Sequence, residues 1–340
     1  MLFDIYNPYE NQTVTNEYVS VIEQCLNLNN VETQYIDVLE KKSENKEKGI
    51  VVIVPSAAFK ARCVGYKKIV LWVQGAAAAE SYMRNKSILR YAALSYLEFC
   101  GLKSADLILF VSQTMKEYYE NRFKLKLDNS YIMPCFNNEI EKDYFYTDGK
   151  YENNVFIYAG SLAPWQCFEP TVKFYKQIED MVPDAFFRVL VKDHETAKGI
   201  LDKYGVKNYS LGFVPQSEIG NEMAKAKFGF CLREDSIVNR VATPTKLSTY
   251  IAHGVMPIYS SYLLDFKKQS GKCRYCFCVD HNDSSETNFM KKVCFENIKA
   301  DDVFNVYSKT FGNYFSKEYH GKALSEFMKC VLFNKEGNQS

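Results

Sequence analysis

Short apolar runs alternate with stretches of helical periodicity along most of the chain, as strands and helices do in an α/β protein with parallel sheets. In the first half, residues 50–54, 69–73, 107–111 and 131–133 read as strands. Residues 17–26, 86–99 and 114–123 read as helices, the last capped by Ser112. After Pro134 the chain turns polar and acidic, and 137–150 reads as a linker. A second series then begins, with strands predicted at 155–158, 187–191, 209–211, 228–232 and 255–259. Between them lie helices over about 168–181, 196–204, 218–225 and 245–253, and the tail from 302 to 333 is helical in pattern. Two consecutive Rossmann-like domains are the natural reading, with ligands at the carboxyl ends of the strands and in the crevice between the domains.

The most telling stretch is 228–259, a strand–loop–helix–strand unit. Thr243 is placed as N-cap, Pro244 suits the first helical turn, and Gly254 sits where a left-handed C-cap is wanted. Exposed N–H groups, the positive end of the helix dipole, a Thr hydroxyl and the Lys246 ammonium together suit a phosphate or diphosphate. Gly160-Ser161 follows a strand directly and precedes a helix. It is either a phosphate-approaching turn or an ordinary tight βα turn, and it matches neither G-x-G-x-x-G nor a Walker A loop. Arg233 and Glu234 lie just past a predicted strand end. Arg233 or Lys192 suits phosphate better than Glu234, which a phosphate would repel and which could accept hydrogen bonds from sugar hydroxyls instead.

Composition narrows the partners. In 340 residues, 42 Lys+Arg face 41 Asp+Glu, so no basic excess favours nucleic acid. No apolar run reaches the ~18–20 residues of a membrane span, and the opening Met1-Leu2-Phe3-Asp4 lacks a signal-peptide pattern. Eleven scattered cysteines read as reduced thiols, so a cytoplasmic location is expected. Cys273-x-x-Cys276-x-Cys278 with His281 has the outline of a zinc knuckle, but it lacks a second CxxC and alternates like a strand, so no metal site is expected. The four histidines form no hydrolase or zincin pattern. The helix over 82–99 mixes Arg84, Lys86 and Arg90 with apolar residues. It is either a contact with anionic membrane or a core-packed helix with a basic edge.

An ordered set of segments resembles the bacterial GT-B glycosyltransferases of the large retaining family four. These are Tyr158-Ala159-Gly160-Ser161 with Trp165-Gln166, Leu211-Gly212-Phe213-Val214-Pro215, Ala242-Thr243-Pro244-Thr245-Lys246-Leu247 and Tyr250-Ile251-Ala252-His253-Gly254. In the first half, Val73-Gln74-Gly75 and Phe110-Val111-Ser112-Gln113-Thr114-Met115 fit the same family, as does Ile132-Met133-Pro134-Cys135-Phe136. The resemblance implies a GT-B fold of two Rossmann-like domains facing across a cleft. An N-terminal acceptor domain would span 1–136 and a C-terminal donor domain 151–316, with the last helix, about 317–340, packing back on the first. It implies transfer of a sugar from a nucleotide-sugar donor to a hydroxyl of a lipid-linked or oligosaccharide acceptor in cell-surface polysaccharide synthesis, without cofactor or metal. Arg233 and Lys246 would then serve catalysis by stabilising the diphosphate. Gly160, Ser161, Trp165, Lys192, Glu234, Thr243, Thr245 and Thr249 would line the donor site, and Gln74, Gly75 and Glu80 the acceptor side.

One feature departs from the family. Many members carry two glutamates eight positions apart, where this chain has Val241 and Thr249. Ribose recognition must then come from elsewhere, which leaves a second expectation open: a non-catalytic GT-B-like subunit that binds a partner glycosyltransferase or a sugar nucleotide. The run Ala76 to Ala79 at the acceptor side has no explanation in the sequence.

Overall fold

The inner strands of this chain are short apolar runs that can lose both faces to helices, and a computed structural model shows that they do. It describes residues 1–8, 13–283 and 285–333. The first series is β1 (Leu2–Tyr6), α1 (Thr13–Leu28), β2 (Glu32–Tyr35), β3 (Gly49–Val52), α2 (Pro55–Cys63) and β4 (Lys68–Val73). It continues with α3 (Ala77–Asn85), α4 (Ile88–Ser104), β5 (Leu107–Phe110), α5 (Gln113–Phe123) and β6 (Ser130–Ile132). These strands form one parallel sheet in the order β2-β1-β3-β4-β5-β6. Its central strands β3 and β5 are buried at every position, as a parallel sheet covered on both faces requires.

The second series runs β7 (Val155–Ala159), α6 (Phe168–Glu179), β8 (Phe186–Leu190), α7 (His194–Lys203), β9 (Tyr209–Gly212), α8 (Ile219–Ala224) and β10 (Phe228–Cys231). After these come α9 (Ile237–Arg240), α10 (Thr245–Ala252), β11 (Met256–Ser260), α11 (Leu264–Ser270) and β12 (Phe277–Val279). Its sheet is also parallel, in the order β12-β11-β10-β7-β8-β9. Helices α12 (Ser285–Cys294), α13 (Ala300–Phe311) and α14 (Lys317–Met328) follow.

The chain divides into two compact units. One holds Met1–Cys135, Arg240–Thr243 and the described chain from Ser316 onward; the other holds Phe136–Asn239 and Pro244–Phe315. In the first, Tyr18 of α1 stacks on Trp72 of β4 with ring centroids 3.7 Å apart, and its hydroxyl donates to the Met133 carbonyl. The last helix, α14, packs on α1. Lys317 pairs with Glu17, Asn29 donates to the Ser325 hydroxyl at 2.9 Å, and Cys25 to the Gly321 carbonyl at 3.3 Å. The second unit is filled by an aromatic cluster of Phe156, Tyr175, Phe187, Phe228 and Phe230, each ring worth about 1.5–3 kcal/mol or more in burial. Residues 137–150 count with this unit. There Lys150 is buried, its amine donating to the carbonyls of Met223 (2.8 Å), His253 (2.9 Å) and Ala224 (3.3 Å), the spent ends of α8 and α10.

Several local expectations need correcting. Helix α4 starts at Ile88, because Lys86 is left-handed (φ 52°) and Ser87 is the N-cap, accepting from the Arg90 N–H at 3.3 Å. Strands β1 and β2 are not among the strands expected from the sequence, although β1 (Leu-Phe-Asp-Ile-Tyr) is largely apolar and buried at its centre; β2, Glu-Thr-Gln-Tyr, is a polar edge. The alanine run is the start of α3: Ala76, Ala78 and Ala79 are buried, and the Ala78 N–H donates to the Glu98 carboxylate at 3.0 Å. Ser112 does cap α5, accepting from Met115 at 2.9 Å, and Gly254 does take the left-handed turn (φ 69°) after α10.

Candidate functional site

The second unit gathers a cationic group around the turn that leaves β7. Gly160 has φ 150°, a conformation closed to most L residues, and its N–H donates to the Leu190 carbonyl at 3.0 Å. The Tyr158 hydroxyl donates to the Ser161 carbonyl at 2.7 Å and so closes the turn locally. A short 3-10 helix, Pro164–Gln166, carries Trp165 and Gln166 to the left-handed Cys167 that opens α6.

Arg233 stands just beyond β10 and is 2% exposed. Its N–H is held by the Ser260 hydroxyl at 2.8 Å. The guanidinium donates to the Gln166 side chain (2.8 Å), the Gln166 carbonyl (3.2 Å) and the Leu232 carbonyl (2.8 Å), three of its five donors. Lys246 comes from the first turn of α10. Its amine lies 3.8 Å from the centroid of the Tyr158 ring, and a Cβ on Gly160 would stand 3.4 Å from it. The Nζ atom is buried and has no hydrogen-bond partner. Burial, and then the charge of Arg233, push the Lys246 amine down to about 7. Burial pushes the Tyr158 phenol up, so the ring beneath stays neutral. A desolvated amine beside a guanidinium, at a glycine turn and at the start of a helix with no side-chain cap, matches the chemistry of a polyanionic phosphate.

Other candidates fall differently. Thr243 is not the N-cap of α10; Pro244 occupies that position, and the Thr243 hydroxyl accepts from the Cys135 N–H at 3.1 Å within the first unit. Thr245 opens α10, and its carbonyl accepts from the hydroxyls of Ser248 (2.8 Å) and Thr249 (3.1 Å). The Thr249 hydroxyl also meets the Asn137 side chain at 3.1 Å. Its hydrogen bonds therefore run to its own helix and to Asn137. Lys192 is exposed and lies over the Phe213 ring at 5.3 Å. Glu234 is exposed; its N–H donates to the Cys167 sulfur at 3.3 Å and its carbonyl accepts from Asn239 at 2.9 Å. Ser161 is exposed, its hydroxyl 3.5 Å from the Ala163 N–H. Tyr158 as the ring under Lys246, Cys167 as the left-handed corner and Ser260 as the anchor of Arg233 carry no sequence signal of their roles. Trp165-Gln166 stands out as a motif, but the grip of Gln166 on Arg233 is a matter of tertiary contact.

The first unit holds a separate cluster past β4. A Cβ on Gly75 would meet the Glu80 Oε1 at 2.1 Å, so any larger residue there would have to push that carboxyl aside. The Tyr119 hydroxyl lies 3.0 Å from Glu98 and 3.3 Å from the Gly75 carbonyl. Burial pushes both the Glu80 and Glu98 carboxyls above their ordinary range, with Arg84 opposing at Glu80 and the Ala78 N–H at Glu98. Gln74 Nε2 and Glu98 Oε2 are buried without a hydrogen-bond partner. Glu98 and Tyr119, which brace this corner, are 20 or more residues away in sequence and give no motif there. Among the described residues, no group of three or more His, Cys, Asp or Glu is placed to hold a metal.

No family model matches the sequence, and no curated protein matches it. Solved structures do match in fold. Sucrose-phosphate synthase from Thermosynechococcus elongatus superposes with a TM-score of 0.71 at 11% identity, over 97% of this chain and 99% of that one. Anabaena HepE, solved with UDP, gives 0.68 at 9% identity over 97% and 100%. Staphylococcus aureus TarM, solved with fondaparinux, α-GlcNAc-glycerol and UDP, gives 0.61 at 7% identity. This match covers 83% of the present chain but only 55% of TarM, so the chain spans about half the length of that relative. The fold is GT-B, with two Rossmann-like domains.

Proposed function

We propose that this GT-B chain is a glycosyltransferase of the retaining, family-four kind. It would move a sugar from a nucleotide-sugar donor to a hydroxyl of a lipid-linked or oligosaccharide acceptor in cell-surface polysaccharide synthesis, on the cytoplasmic face of the membrane. The observation that carries the reading is Lys246: a buried amine without a hydrogen-bond partner, beside Gly160 and near Arg233, at the start of a helix. In the proposed reaction the bond between the anomeric carbon and the diphosphate oxygen breaks, the acceptor oxygen bonds to that carbon on the same face, and the acceptor hydroxyl gives its proton to the departing diphosphate oxygen. Lys246 and Arg233 take up the charge that develops on the leaving diphosphate, so the reaction needs neither a carboxylate nucleophile nor a metal. Gln74, Gly75 and Glu80 are proposed to meet the acceptor.

UDP heads the donors to test, because HepE and TarM were solved with it. A thermal-shift panel of UDP-, GDP-, ADP- and CMP-sugars, followed by donor hydrolysis with and without EDTA, tests the reading. A donor at one hundred times its dissociation constant adds ~2.7 kcal/mol of stability. The expected result is a shift with one base and slow hydrolysis that EDTA leaves unchanged. No shift with any base would favour a non-catalytic GT-B-like subunit, a reading the non-acidic Val241 and Thr249 already suggest.

A further inference from the structure

The corner between α3 and α4 in the first unit carries large apolar side chains that the fold leaves uncovered. Ile88 is 72% exposed, Leu89 85%, Tyr96 64% and Tyr82 41%. Leu89, Ala92, Ala93 and Tyr96 are all exposed and share one face of α4 by their spacing of three, four and seven. The opposite face is firmly committed. Glu98, Gly101, Leu102 and Ser104 are buried, and a Cβ on Gly101 would stand 2.1 Å from the Pro55 carbonyl of α2. That close approach fixes the rotation of α4, so the outward apolar face is set by packing. The tip is held as well: Lys86 takes a left-handed turn with its N–H on the Tyr82 carbonyl at 2.8 Å, and Ser87 caps α4.

Charge identifies the occupant. Over α3 and α4, residues 77–104, the basic residues are Arg84, Lys86, Arg90 and Lys103; of the two acidic residues, Glu98 is buried and Glu80 is half-buried and answers the charge of Arg84. Arg84, Lys86 and Arg90 are exposed and ring the apolar tip. Tyr82 lies edge-on to Tyr91 with centroids 5.7 Å apart, and the Lys86 amine stands 5.8 Å over the Tyr82 ring. Aromatic rings with a polar end, aliphatic side chains and a basic rim are what the headgroup boundary of an anionic bilayer accepts. A second copy of this chain seated on the patch about a two-fold axis would face the same basic rim, and like charges would oppose the contact. No described helix is long and apolar enough to cross a membrane, so the contact is one that lies on the surface.

We propose that the α3–α4 corner, with Tyr82, Ile88, Leu89 and Tyr96 inserted and Arg84, Lys86 and Arg90 on the headgroups, docks the chain on an anionic lipid bilayer. The proposal stands without the donor site and is tested without donor. The full chain is floated with vesicles of pure phosphatidylcholine and with vesicles containing phosphatidylglycerol. It should float with the anionic vesicles, and less as salt rises. Ile88→Ser/Leu89→Ser should cut binding roughly tenfold or more. Lys86→Glu/Arg90→Glu should cut it by about fivefold for each basic residue lost, or more. All four positions are exposed, so thermal melts of these variants should match the parent and exclude misfolding. The proposal fails if the chain floats with neither vesicle, or if binding ignores both salt and the substitutions. Concentration-dependent light scattering gives the remaining check: a dimer that Ile88→Ser/Leu89→Ser breaks would assign the patch to a second copy and overturn the lipid reading.

Discussion

The Lys246 amine lies 3.8 Å from the centroid of the Tyr158 ring, with a ring face in place of a hydrogen-bond acceptor. A cation–π contact of this kind is worth ~2 kcal/mol or more when desolvated. Loss of hydration outweighs it, which is why the amine sheds its proton near 7. A group held this way is stabilised by whatever anion can reach it.

Lys246→Ala should therefore weaken binding of the donor diphosphate by roughly ten- to hundredfold, the worth of hydrogen bonds to a charged group. The free protein should be no less stable, since the substitution removes a buried group without a hydrogen-bond partner. Calorimetric titration and a urea melt on the same variant check both halves. Unchanged affinity would take Lys246 out of the site.

Donor affinity should also depend on pH in a defined direction. Below about 7 the free Lys246 already carries its proton; above it, binding must bring one in. Affinity should then fall by up to tenfold for each pH unit above 7, while Lys246→Ala shows a flatter profile. Dissociation constants of UDP from pH 6 to 9 would show this. A profile identical in parent and variant would count against it.

Gln166 grips the guanidinium of Arg233 through its side chain at 2.8 Å. Gln166→Ala should leave Arg233 in place but loosely aimed, weakening donor binding by about tenfold with a small loss of stability. If affinity is untouched, the contact between the two serves the fold alone.

Stability should rise with pH between about 7 and 10.5. Burial lowers Lys150 and Lys246 to about 7 from an ordinary 10.5, so in that window the unfolded chain holds protons the native chain has shed. Lys150→Met should lower stability by about 1–3 kcal/mol, because three buried carbonyls lose their donor, and it should flatten the rise. Urea melts at pH 7 and 9 measure both effects; a flat parent profile would refute the shift.

Gly160 illustrates how far local pattern reaches. A glycine after an apolar strand reads as a tight turn, and the φ of 150° bears that out. Gly160→Ala should cost stability through that strained backbone, seen as a lower midpoint in a urea melt, while the new Cβ would meet the end atoms of Lys246 at an ordinary 3.4 Å. Helix α3 shows the opposite case. Its alanines have no periodicity to read, and their place is marked instead by Glu98 of α4, which accepts from the Ala78 N–H and from the Tyr119 hydroxyl across the fold.

The sequence by itself determined two series of strands in parallel sheets, β1 and β2 apart, since apolar period and turn residues act over a few neighbours. It also marked Gly160, Arg233 and Lys246, each beside a strand end or a helix start. Only the tertiary structure decided that the Thr243 hydroxyl turns to Cys135 instead of capping α10, that Thr249 spends its hydroxyl on Asn137, and that Lys192 rests on Phe213. Hydrogen bonds of side chains are settled by which partners packing brings within about 3 Å. That distance is set by helices and strands far apart in the chain, and no spacing along the sequence encodes it.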